Sequence, residues 1–163
     1  LDLMHTVSEM TGEFLTATYK VHGYYSTQYA KDALGTKFEA VKSEYNQASK
    51  SMISGRDRIK TLSELYTSRE KDIENTFDSI NHLTHLDKPN SINIYVQALF
   101  SMNLETLQSM EKEGSLKEYR IAIKSRADSL NTLNNKLHVA FLKSMNTRNK
   151  KKEESFWYGM FCN

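Results

Sequence analysis

One apolar seam constrains this chain more than any other feature. Phe38, Tyr45, Met52, Ile59, Tyr66, Ile73 and Ile80 recur every seventh residue, and Val41, Ala48, Gly55, Leu62, Arg69, Thr76 and Leu83 hold the second seam position. Heptads sustained beyond three or four repeats are the pattern of a coiled-coil-like helix. Read as one helix, Thr36 to Leu83 would be roughly 70 Å long. A compact domain of this chain length is only about 40 Å across. The expected molecule is elongated.

The rest of the chain carries the same helical signal. Leu3, Val7, Met10, Phe14, Ala17, Val21 and Tyr24 alternate by four and three, which predicts a helix over residues 1–34. Gly35 suits a helix C-terminus, and Thr36 with Glu39 has the spacing of a capping box. Two readings stay open there. A tight hairpin fits the cap signals, whereas the unbroken phase of positions 24, 31, 38 and 45 fits a kinked, nearly continuous helix.

Leu86-Asp87-Lys88-Pro89-Asn90-Ser91 is the clear break, since Pro disfavours helix in the residue before it and Asn or Ser can cap the next helix. Residues 91–113 come next and are the most apolar of the chain, with Ile92, Val96, Leu99, Phe100, Leu104, Leu107 and Met110. Gly114 and a Ser115–Glu118 capping box then open a last helix over 115–157. No stretch shows the alternation of a half-buried strand. The fold expected is all-α: a single domain, residues 1–163, forming an elongated antiparallel bundle of three to four long helices with coiled-coil-like packing.

Composition narrows the function classes. The 163 residues include six Gly and one Pro, are 39% hydrophobic and 26% charged, and carry a formal charge of +2. Near-neutral charge demands neither nucleic acid nor membrane as a partner. One cysteine, Cys162, excludes an internal disulfide framework and fits a reducing compartment, so a cytoplasmic or peripheral membrane location is expected. Asn-x-Ser/Thr acceptors are absent, and no apolar run approaches the ~20 residues of a membrane span. Beginning at Leu1, the sequence reads as a processed product or an excised fragment.

Residues that could carry chemistry are sparse. Asp78, His82 and His85 share a helix face and could geometrically hold zinc. They read more simply as polar residues near a helix C-terminus, where histidine suits the dipole. Glu-x-x-His pairs, phosphate-binding Gly-rich loops and Cys-x-x-Cys are absent. The chain is therefore read as a non-enzyme, with no cofactor and no metal.

Two basic clusters and an aromatic run remain. Lys50, Arg56, Arg58 and Lys60 surround Gly55, and Lys143, Arg148 and Lys150 to Lys152 form a second cluster in the last helix. Of these, Lys50, Arg56, Arg58, Lys60, Lys150, Lys151 and Lys152 are the candidate contacts to an anionic membrane, where each cation adds about 1 kcal/mol. Aromatic residues sit on the seam rather than among the lysines, which argues against nucleic acid. Phe156, Trp157, Tyr158 and Phe161 crowd one short stretch and are candidate partner or dimer contacts.

The segment from Leu137 through Phe141 and Lys150–Lys152 to Phe156 resembles the BAR domains of sorting nexins, which also have long kinked helices and a basic patch mid-helix. Asn146 to Asn149 stand where that family tends to have an acidic-aromatic step. The resemblance implies a crescent-shaped homodimer that binds and curves anionic membrane in trafficking. The residues themselves point first to a scaffold or assembly module that self-associates, as a dimer, through its seam and recognises protein partners. A bacterial sensor or secretion-apparatus bundle is a third reading.

Overall fold

A computed structural model describes residues 2–66 and 71–161. All regular structure among them is helical, in eight helices: α1 Asp2–Thr27, α2 Tyr29–Asp32, α3 Thr36–Ser54, α4 Arg56–Tyr66, α5 Lys71–Thr84, α6 Ile92–Phe100, α7 Leu104–Glu113 and α8 Ser115–Phe161.

The hairpin at Gly35 is the reading that holds. Phe14 packs on Tyr45 and Tyr24 on Phe38, so α3 runs back along α1. The turn differs in detail from the sequence expectation. Ala33 and Leu34 take the left-handed conformation, with φ of 49° and 58°, while Gly35 does not. Glycine is needed at 35 for space, because a Cβ there would lie 2.9 Å from the Asp32 carbonyl oxygen. No capping box forms either. Asp32 caps α3 from the preceding helix, accepting the Phe38 N–H at 2.9 Å and the Lys37 N–H at 3.3 Å, with the Tyr24 hydroxyl at 3.0 Å.

The single helix expected over 36–83 is instead α3, α4 and α5. Gly55 ends α3 in a right-handed helical conformation, and its missing side chain admits the thioether of Met10 from α1. The larger departure comes after Tyr66. Arg56, at the start of α4, lies 3.1 Å from the ring of His85, just past the end of α5, so α5 folds back along α4. The connection, residues 67–70, falls outside the described part.

The heptad is a true signal of burial. Phe38, Tyr45, Met52, Ile59, Ile73 and Ile80 are all buried. They face one shared core, not a second coil. A reversal keeps the heptad phase when both arms point their seams at the same interior, so periodicity alone does not reveal it. The seam on which self-association is expected is thus taken up within the chain.

The helix expected over 91–113 is also divided. Asn103 caps α7 by accepting the Thr106 N–H at 2.8 Å, which separates α7 from α6. Helix α6 matches its apolar sequence, with Ile92, Val96, Leu99 and Phe100 buried. Phe100 meets Phe38 and Tyr45 edge-on, fixing α6 to α3.

The long helix lies at the end of the chain. Helix α8 has 47 residues, hence a length of about 70 Å. Helices α1, α5, α6 and α7 all pack against it. Gly114, with φ of 84°, supplies the left-handed turn between α7 and α8.

Candidate interaction surface

Helix α8 is held along its first half by polar ties to its neighbours. Arg120 donates to both carboxylate oxygens of Glu111 at 2.9 Å and to the Tyr25 carbonyl at the end of α1. Arg126 lies over the Tyr95 ring and donates to the Asn90 carbonyl at 2.7 Å, tying α8 to the entry of α6. Tyr19 donates to Asp128 at 2.7 Å. Burial, then that hydrogen bond, pushes the Tyr19 hydroxyl up to about 12. The order of these contacts makes α1 antiparallel to α8.

Beyond them α8 outruns α1. Residues near the start of α1, His5 and Glu9, flank Leu137 and Phe141 of α8. From Phe141 to Phe161 the helix rises about 30 Å further. Near the point where α1 begins, α8 exposes two apolar side chains: Val139 is 50% and Leu142 47% exposed.

Helices α5 and α8 leave between them a groove of about 900 Å³. Ile73, Leu133 and Ala140 contribute apolar floor, Val139 an exposed flank, and Lys136 and Lys143 stand on the α8 side. Its described lining has no carboxylate. Helix α8 has none at all between Asp128 and Glu153, a stretch that carries Lys136, Lys143, Arg148 and Lys150 to Lys152. Lys136, Lys143 and Lys150 are spaced one heptad apart, so they share a face with a drift of only about 20° per repeat.

The seven basic residues singled out in the sequence do not gather into one patch. Lys50, Arg58 and Lys60 are exposed on α3 and α4, and Lys150, Lys151 and Lys152 are exposed on α8. Gly55 adjoins Met10, which places the first group near the axial level of Leu137. Lys150 lies a further ~20 Å along α8. Arg56 is half-buried and committed to His85. The side chains of Phe156, Trp157, Tyr158 and Phe161, and all of Cys162, lie outside the described part.

Asp78, His82 and His85 do not converge, and among the described residues no group of three metal-ligating side chains forms. His85 instead sits among its own loop and α4. The Asp87 N–H donates to Nδ1 at 3.1 Å, and the Arg56 guanidinium lies 3.1 Å from Nε2. Loss of solvent, then the Arg56 and Lys88 charges, lower its pKa. No helix among the described residues is long and apolar enough to cross a membrane.

Sequence reasoning placed Lys143 in a basic cluster but missed the groove and Lys136 beside it. The legible signal is the absence of any acid between Asp128 and Glu153, combined with lysines at heptad spacing. No family model matches the chain, and neither a curated protein nor a solved structure matches it.

Proposed function

We propose that this chain is a non-enzymatic scaffold or assembly module: an elongated antiparallel bundle of four legs, with α8 as the spine and its distal half as the contact surface. The legs are α1, α3 with α4, α5 with α6, and α8. One observation carries the reading. Helix α8 continues about 30 Å past the start of α1, and around that point it exposes Val139, on the flank of an open groove with α5, and Leu142. Exposed apolar side chains clustered at a groove mark an interaction site more often than isolated ones do.

The natural test is site-specific photocrosslinking of the full chain in its native cell, with the crosslinker at Leu142 and a control at Ile121. Ile121 is 57% exposed on the first half of α8. A discrete protein adduct from position 142, absent from position 121, is expected. Equal or no adducts at the two positions would count against the scaffold reading.

Membrane binding as a BAR-like dimer is the second reading, favoured by the exposure of Lys150, Lys151 and Lys152 on the same distal helix. Salt-sensitive sedimentation with anionic liposomes, lost when all three are changed to Glu, supports it. Sedimentation that survives the triple change removes it.

A further inference from the structure

Resting on that reading of α8, we infer that the α5–α8 groove seats an acidic amphipathic helix from a partner protein, with apolar residues against Leu133, Val139 and Ala140 and carboxylates against Lys136, Lys143 and Lys150. Three observations meet at this site. The groove lies between two helices and has an apolar floor, the form that takes a helix by its apolar stripe. Lys136 and Lys143 flank it without a carboxylate in its described lining. Lys150 continues their line at heptad spacing, so a straight partner helix with acids at the same spacing meets all three in register.

Charge separates this occupant from a second copy of the chain. Two α8 ends laid side by side in parallel would bring both sets of Lys150, Lys151 and Lys152 together, with only Glu153 and Glu154 of each copy as offset. Shape separates it from a lipid surface. Val139 and the two lysines border a concavity between helices, which a flat bilayer would not enter.

The probes are two designed helical peptides spanning the distance from Lys136 to Lys150. They share one leucine stripe and differ in having Glu or Lys along its flank. Fluorescence anisotropy with the full chain should show saturable binding of the Glu peptide alone, weakening with salt. Lys136→Glu with Lys143→Glu, both at exposed positions, should weaken it by about tenfold, since two exposed ion pairs are lost and replaced by like-charge repulsion. Val139→Asp should do the same through the apolar contact, and circular dichroism should show both variants folded. No saturable binding, equal binding of both peptides, or a Glu-peptide affinity untouched by the double change overturns the inference. So does binding of anionic vesicles, without the peptide, that the same double change abolishes. The photocrosslink at Leu142 keeps the two readings apart: if it persists while the peptide fails, the acidic-helix class falls and the scaffold reading stands.

Discussion

The Tyr45 hydroxyl donates to Asn93 Oδ1 at 2.7 Å, in a site where both residues are fully buried. Ser49 donates to the same oxygen at 3.0 Å, and the Asn93 amide donates to the carbonyls of Thr84 at 2.8 Å and His85 at 3.4 Å. One amide thereby satisfies α3, the end of α5 and the start of α6 at once. A buried polar group is costly only when it is unpaired, and here every bonding position of the side chain is used.

Removing that amide should be expensive. Asn93→Leu leaves two hydroxyls and two carbonyls without this partner, and a loss of about 3 kcal/mol is expected in urea denaturation. Tyr45→Phe removes one donor while Ser49 still serves Asn93, so about 1 kcal/mol is expected. Equal losses from the two would mean the site is not a shared hub.

The heptad positions should behave as core. Ile80→Ala, at a fully buried site, should cost about 2–5 kcal/mol. Leu142→Ala, on the exposed distal helix, should change stability by about 0.5 kcal/mol or less. Neither effect should depend on protein concentration, because the seam is satisfied within one chain.

At Gly35, Ala substitution forces a Cβ against the backbone oxygen of Asp32. The obstacle is main chain, so it yields only by moving the turn, and a loss of about 1–3 kcal/mol is expected. At Gly55 the nearest obstacle is the flexible end of Met10, with the Ser51 carbonyl oxygen next at 3.1 Å. There Gly→Ala also gains helix propensity, and thermal melts should show little change.

Stability should fall with pH through His85. Its folded-state pKa lies below the ordinary 6.5, first through loss of solvent and then through the Arg56 and Lys88 charges. The unfolded chain therefore takes up the proton first. Stability attributable to this ring is present above about 6.5 and declines as pH falls through that value towards the lower folded pKa. His85→Gln should reduce the drop in melting temperature between neutral and mildly acidic pH. Asp32 acts lower on the scale. Desolvation raises its pKa, but the Phe38 N–H, the Tyr24 hydroxyl and the Lys37 N–H together outweigh this and hold it below 3.8. Its capping contribution is lost only as pH falls through that lowered value.

Much of this fold is legible in the amino-acid pattern, and the parts that are not have identifiable causes. Burial is readable because a core-facing stripe has the same period in a coiled coil and in a bundle, as Phe38, Tyr45 and Ile80 illustrate. Chain reversal is not: residues 67–70 are Thr, Ser, Arg and Glu, with neither the Gly nor the Pro that marks a turn. The Gly35 hairpin can be anticipated from its cap signals, although Asp32 does the capping. The break before α7 is hidden because Asn103 sits inside an apolar stretch, although Asn is a strong N-cap. Asn93 is hidden for the same reason. At the surface, the adjacent lysines at 150–152 mask the wider spacing of Lys136, Lys143 and Lys150, which is the one that matters on a helix.

The α5–α8 groove exists only if α5 folds back on α4, and one distance decides that. With Cys162 changed to Ser, spin labels at Lys60→Cys and His82→Cys occupy exposed positions on the two helices. Neighbouring antiparallel helices place the labels about 20 Å apart or less by pulsed electron resonance, and this is the expected result. A distance near roughly 33 Å is that of one uninterrupted helix. It would contradict the fold-back and, with it, the groove and the partner assigned to it.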